Sequence, residues 1–333
     1  MLRLPNDGAA TGAPLDGHLR AAGGAGPIVA ALAAALPPLA ARLGSGRLHG
    51  DPEAVVGVND SGDKQKALDV AAHDHMMRAL AGSGVRRVLS EEAEAVIDLD
   101  PSGDFDVAID PIDGSGSIGI GAPLGMLFSV LEAAPHGFLR PARGAVVAAG
   151  YASFGHSLDF GFSLGEGVHI ATHDRDLGDF RLVRQGVTLE PATKSIAYNA
   201  SNERHWPEGL QAWARDLRAG KDGPRGKDFN MRWLAAAVGE LHRILLQGGV
   251  FLYPADRRKG YENGRLRLIY EAAPIAFLIE QAGGRATDGA TAILDLHPER
   301  HHENVPLVFG AAEEVEVIGR YLRDLSHSPT QQG

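Results

Sequence analysis

The chain has 333 residues, of which 44% are hydrophobic and 22% charged, enough apolar material for one large core or two. Its formal net charge of −10 at pH 7 excludes the basic face that a nucleic-acid or membrane-surface partner needs. There is no cysteine, which excludes disulfides, thiolate metal sites and thiol switches and gives a cytoplasmic expectation.

In chain order, the start around Asn6-Asp7-Gly8 lacks the basic segment and apolar core of a signal peptide, and residues 1–25 are expected to form a mobile tail. The Ala/Leu run Ile28–Leu43 is interrupted by Pro37-Pro38, which predicts a helix, a kink and more helix rather than a membrane span. A helix over Lys64–Ala81 precedes strands at Val85–Leu89 and Phe105–Ile109. A strand-rich middle follows at 126–131, 145–151, 159–164, 168–172 and 180–183. After Pro191 come a strand at 195–198, helices at 207–218 and 231–247, a strand at 250–253, a helix at 266–282, a strand at 306–309 and a helix at 312–325. Strands grouped with helices on either side predict a layered α/β domain pair. The boundary is expected near residue 190, giving an N-terminal domain over 26–190 and a C-terminal domain over 191–333.

The densest chemistry lies at Phe105–Ile118. A short apolar strand, Val107–Ile109, runs into Asp110, Pro111, Ile112 and Asp113, then Gly114, Ser115, Gly116 and Ser117. Pro111 biases Asp110 toward extended backbone, so the run reads as a strand that breaks. Both carboxylates can then aim at one point, and the small residues leave N–H groups free at a turn. Hard oxygen ligands suit Mg2+ and free N–H groups suit phosphate, the pairing that metal-assisted phosphate-ester hydrolysis needs. Alone, the pattern fits a plain turn equally well.

Three further segments carry carboxylates. Gly62-Asp63 opens the helical stretch that holds Lys66, Leu68 and Asp69, where an acid near a helix N-terminus is favoured in any case. Ser90-Glu91-Glu92 follows an apolar strand; it fits a solvated pair, or the strand-end position where α/β proteins keep active groups. Glu271 interrupts an apolar run from Leu266 to Leu278, where a carboxylate is costly unless paired or metal-bound.

With these residues the chain resembles the class I fructose-1,6-bisphosphatases, members of the magnesium-dependent, lithium-sensitive sugar-phosphatase superfamily. The resemblance runs in order from about Val58 to Gly310 and includes Ala148–Tyr151, Gly248–Ala255, Leu266–Glu271 and Glu280–Gly284. It implies a five-layer αβαβα sandwich and a homotetramer. The implied activity is Mg2+-dependent removal of the 1-phosphate of fructose 1,6-bisphosphate, in gluconeogenesis or the Calvin cycle, with sedoheptulose 1,7-bisphosphate as a further candidate. An inositol-monophosphatase-like enzyme is the alternative, and a sugar-phosphate-binding module without chemistry is a reading of another class.

Carried over by resemblance, Glu91, Asp110, Asp113, Glu271 and the Ile112 carbonyl would bind two or three Mg2+ ions, with Mn2+ able to substitute. Asp63 would hold a further ion and join Asp69 and Glu92 as catalytic groups acting on the attacking water. Asp113, Gly114 and Ser115 would hold the 1-phosphate. Asn202, Arg232, Tyr253 and Arg265 would hold the sugar and its second phosphate, with Arg232 donated by a neighbouring subunit. The chain departs from the family pattern in places. Arg265 stands where relatives carry Lys, and Trp233 where they carry Tyr. Asp104 and Phe105 replace a Lys-Tyr pair of AMP-inhibited members, so AMP control is expected to be absent or rebuilt.

Overall fold

The computed structural model describes residues 12–58 and 64–326. Asp63 and the first eleven residues lie outside them. The helices are α1 (Leu15–Ala22), α2 (Gly26–Gly44), α3 (Ala67–Leu80), α4 (Glu208–Arg218), α5 (Ala237–Gln247), α6 (Ala273–Gln281) and α7 (Ala312–Ser326). The first ten strands are β1 (Val55–Val58), β2 (Lys64–Lys66), β3 (Val85–Ser90), β4 (Ile97–Asp98), β5 (Phe105–Asp113), β6 (Leu124–Glu132), β7 (Val146–Phe154), β8 (Leu158–Ser163), β9 (Val168–Asp174) and β10 (Asp179–Val187). The remainder are β11 (Ser195–Ala197), β12 (Asn230–Met231), β13 (Val250–Tyr253), β14 (Leu266–Arg267), β15 (Arg285–Thr287), β16 (Asn304–Val305) and β17 (Leu307–Gly310).

An eight-stranded sheet has the order β10-β9-β8-β7-β6-β5-β3-β4, and a five-stranded sheet the order β12-β11-β13-β17-β15. Alternate side chains of each strand feed opposite cores. Val107, Ile109, Phe128 and Val130 pack under α1, α2 and α3. Ala108, Leu127, Ala149 and Tyr151 face the other way, onto Val238 and Leu241 of α5 and Ile275 and Leu278 of α6. Phe251 and Phe309 of the smaller sheet close the same core, while Val250, Leu252 and Val308 pack on Trp213 of α4 and Ile318 of α7. The layers therefore run helix, sheet, helix, sheet, helix, as the sequence resemblance implied. Covering on both faces explains why β6 is buried from Leu124 to Leu131 instead of alternating.

Several elements differ from the sequence expectation. Residues 15–22, assigned to the tail, form α1; Leu15 and Leu19 are buried and pin it to the edge of the large sheet. Helix α2 is continuous, with Pro37 and Pro38 inside it. By length and composition it could cross a membrane, yet Ile28, Val29, Leu32, Leu36 and Leu39 are spent on the protein core. Residues 64–66 are strand, so α3 starts at Ala67, and residues 231–236 are not helical, so α5 starts at Ala237.

β5 does not end at Ile109 but runs on through Pro111 to Asp113. Between Asp110 and Asp113 it advances three residues while β6 advances two, from Leu127 to Gly125. A proline, lacking an N–H, is accommodated in a strand at such a bulge. The expected helix over 266–282 is also divided. β14 leads into a π-helical turn, Leu268–Ala272, and then into α6. Pro274 cannot donate to a carbonyl of the preceding turn, and Ala273 N–H reaches back to Leu268 O. Single π turns of this kind recur at functional sites.

Candidate active site

The acidic residues meet where β3 and β5, a parallel pair, end side by side. Glu91 follows β3, and its N–H donates to Ile109 O at 3.1 Å. Asp110 and Asp113 sit on the bulge of β5. Glu271 comes from the π turn, with Arg267 N–H donating to its carboxylate. Asp69 lies in the first turn of α3. Carboxylate oxygens of Glu91, Asp110 and Glu271 lie within 4.8 Å of one another.

Burial makes this cluster electrostatically uncomfortable. Asp110 is 1% exposed; its Oδ1 accepts Ile112 N–H at 2.9 Å, while its Oδ2 is buried without a partner. Burial first, then the charges of Glu91, Glu271 and Asp113, hold the Asp110 carboxyl well above the usual range. Glu271 is raised in the same way, by burial and then by Glu91 and Asp113. Glu91 is raised by burial first, with the adjacent Asp110 carboxyl opposing the shift and the charge of Asp113 adding to it. Asp113 is pushed up to about 6 by burial, against the N–H groups of Val238 and Gly114 that favour its charged form. Asp69 is likewise raised to about 6 by burial, opposed by Lys66, and its Oδ1 is buried without a partner. Orphaned oxygens and crowded like charges are the deficit that a hard divalent cation corrects, and a set of carboxylate oxygens suits Mg2+ or Mn2+. The donor set therefore fits such an ion.

The remaining candidates surround this centre. Gly114 has φ +83°, a left-handed turn that an L side chain would strain, and a Cβ there would lie 3.1 Å from that of Ala236. Ser115 opens a short 3-10 turn, and its carbonyl accepts Lys66 Nζ at 2.7 Å. Glu92 is half-buried, with its N–H 3.4 Å from Ser90 Oγ. Ile112 turns its side chain into the core. Asn202 is buried in the turn after β11, and Tyr253 ends β13. Arg265 is exposed above the Tyr261 ring, 5.0 Å from its centroid, with Arg258 4.0 Å from the same ring. Burial raises the Tyr253 hydroxyl, with Tyr261, Arg265, Arg258 and Asp256 also felt there. Arg232 is exposed beside β12, at the edge of the smaller sheet, and pairs locally with Asn230 Oδ1 at 2.8 Å.

Sequence reasoning passed over Arg267, whose charge is felt by Glu91 and Glu271 and whose guanidinium donates to His302 O at 2.7 Å. Its position four residues before Glu271 was the available signal. It also passed over Tyr261 and Arg258, which no motif marks.

Fold and site together define a layered α/β protein with an acidic, cation-ready centre at its strand ends. Comparison with known proteins narrows this class. Residues 51–185 match the fructose-1-6-bisphosphatase N-terminal domain, and residues 189–323 the C-terminal domain. The chain is 51% identical to the class 1 fructose-1,6-bisphosphatase of Brucella anthropi over 294 residues, 88% of this chain and 86% of that one. It is also 51% identical to the class 1 protein of Brucella suis, over 85% of this chain and 83% of that one. The solved structure of Leishmania major fructose-1,6-bisphosphatase in holo form superposes with a TM-score of 0.85 at 26% identity, covering 94% of this chain and 99% of that one. The chain belongs to the class 1 fructose-1,6-bisphosphatase family of hydrolases.

Proposed function

We propose that this chain is a Mg2+-dependent phosphohydrolase that converts fructose 1,6-bisphosphate and water into fructose 6-phosphate and inorganic phosphate. The observation that carries the reading is the group of Glu91, Asp110 and Glu271, with oxygens within 4.8 Å and an orphaned oxygen on Asp110. Glu91, Asp110, Asp113, Glu271, Asp63 and the Ile112 carbonyl would hold two or three ions. Bound there, the ions would polarise the phosphoryl oxygens and offset charge on the attacking and leaving oxygens.

The chain's own groups do the rest. Asp69, with a carboxyl near 6, is suited to take a proton from water near neutral pH, with Glu92 beside Glu91 as its companion. The new bond joins water oxygen to phosphorus, the bond from phosphorus to the C1 oxygen breaks, and a proton ends on that oxygen. The Gly114–Ser115 turn holds the 1-phosphate in place. Asn202, Tyr253 and Arg265 hold the sugar and its distal phosphate. Arg232 joins them from a neighbouring subunit of a homotetramer, a role supported by its exposure at a sheet edge. The setting is the cytoplasm, in gluconeogenesis or the Calvin cycle, with sedoheptulose 1,7-bisphosphate as a second substrate.

Phosphate release from a panel tests this. The 1,6- and 1,7-bisphosphates should be hydrolysed far faster than inositol 1-phosphate or fructose 6-phosphate. Equal rates on inositol 1-phosphate would contradict it.

A further inference from the structure

Glu240 lies on α5, fully buried at 0% exposure, and takes no part in the acidic centre. A carboxylate so placed is costly unless both oxygens are held. Oε1 accepts Leu234 N–H at 2.6 Å, and Oε2 accepts Arg243 Nε at 2.8 Å. Arg243 is buried too, and donates to Ser195 Oγ at 3.1 Å and Gly248 O at 3.3 Å. An internal ion pair thus grips the loop 232–236 at its middle.

That loop is strained. Ala235 has φ +61°, the only non-glycine residue with positive φ among the described residues. Such a conformation persists where the surroundings over-determine it, and it clusters at functional sites. Here the two ends are also fixed. Arg232 N–H donates to Ile196 O at 2.8 Å, and Trp233 stacks on Phe251 with ring centroids 5.8 Å apart. At the far end Val238 N–H donates to Asp113 Oδ2 at 2.7 Å.

We propose that Glu240 is a positioning residue, one that sets the left-handed loop so that Arg232 is presented to the sugar phosphate. The inference rests on the reading of Arg232 as a phosphate contact. Glu240 touches no substrate; it acts through the Leu234 N–H and the loop geometry that bond enforces.

The test is a double-mutant cycle on the full-length protein. Glu240→Asp keeps a carboxylate facing Arg243 but shortens its reach to Leu234. KM and kcat for fructose 1,6-bisphosphate and the calorimetric Kd for fructose 6-phosphate are measured for Glu240→Asp, Arg232→Ala and the double variant. Each single change should raise KM and Kd about tenfold, with kcat within about threefold of the parent and the double variant no worse than Arg232→Ala alone. Additive losses, or a fall in kcat at unchanged KM, would overturn the positioning role. If Arg232→Ala leaves KM and Kd unchanged, the phosphate-contact reading itself fails and takes the inference with it. Should Glu240→Asp not fold, Arg243→Lys loosens the same grip and is expected to show the same non-additivity with a smaller, roughly threefold, rise in KM.

Discussion

Val238 N–H donates to Asp113 Oδ2 at 2.7 Å, joining the start of α5 to the acidic end of β5 across 125 positions of sequence. The contact is possible because Asp113 pairs with Gly125, where a Cβ would stand 2.5 Å from the Val238 methyls. α5 has no side-chain cap of its own, since Ala236 precedes it. Asp113 supplies the cap from another layer, and the positive end of the helix favours its charge. The cap and the proposed metal-ligand role separate by mutation. Asp113→Ala should lose about 1 kcal/mol of stability with the cap. Asp113→Asn, which still offers an acceptor, should unfold at nearly the parent denaturant concentration. Both should lose at least about a hundredfold in kcat, roughly 3 kcal/mol of transition-state stabilisation. Turnover close to wild type in Asp113→Asn would reject its place in the site.

Proton linkage gives a second prediction. The Asp69 carboxyl is raised from 3.8 to about 6 by burial, so the fold prefers it protonated. Its contribution to stability is present below the unfolded value and is lost as pH rises through about 6. His73, His169 and His242, lowered chiefly by burial, work in the opposite direction near the same pH. Comparing Asp69→Asn with the parent cancels those histidines. Without metal, the variant's thermal advantage should widen between about pH 4 and about pH 6.5 and then level off. Scanning calorimetry in EDTA checks it; an advantage that shrinks over that range contradicts the assignment.

Glu271 tests the crowding itself. Its carboxyl is raised by burial and by Glu91 and Asp113. Glu271→Gln removes one like charge, so the metal-free variant should melt no lower than the parent. Added Mg2+ should stabilise it much less than it stabilises the parent, and kcat should fall by at least about a hundredfold. A full Mg2+-induced rise in Tm would remove Glu271 from the ligand set.

If Arg232 serves a neighbouring subunit, its variant should be complemented by a metal-centre variant that carries an intact Arg232. Arg232→Ala should raise KM with the fold intact. Mixed with Asp113→Asn under conditions that exchange subunits, it should form hybrids whose sites regain the parent's low KM. No recovery despite exchange shown by mass spectrometry, or a fully active monomer in light scattering, would count against a shared site.

Asp104 lies exposed just before β5, where AMP-inhibited relatives carry lysine. Replacing a cation with an anion removes a charge-assisted hydrogen bond worth about 1.5–3 kcal/mol and adds repulsion. AMP should therefore inhibit at least about a hundredfold more weakly than in the lysine-bearing enzymes, or not at all. Inhibition by micromolar AMP in a steady-state assay would show another mode of nucleotide binding.

Local signals made the layered α/β character and the acidic trio readable, whereas the five-layer order came from the family resemblance. β13 falls at Val250–Tyr253 as expected from its apolar run. Glu91, Asp110 and Glu271 each end or interrupt an apolar segment, which marks a costly carboxylate. What stayed hidden depends on contacts between distant segments. The bulge that carries Pro111 inside β5 is set by pairing with β6. α1 has little apolar surface of its own and is held by Leu15 and Leu19 against the sheet. The latch from Glu240 to Leu234 and the cap from Asp113 to Val238 follow from no spacing rule, since backbone N–H groups leave no mark in a sequence.

The central claim is that the acidic centre, loaded with Mg2+, hydrolyses the 1-phosphate. It is tested most directly by titrating Mg2+ back into EDTA-stripped protein while following phosphate release from fructose 1,6-bisphosphate, with Asp110→Asn alongside. The stripped parent should be inactive and should regain saturable activity with added Mg2+, while Asp110→Asn stays at least about a hundredfold lower at every concentration. Full activity in EDTA, or an Asp110→Asn curve that overlays the parent, would contradict the account.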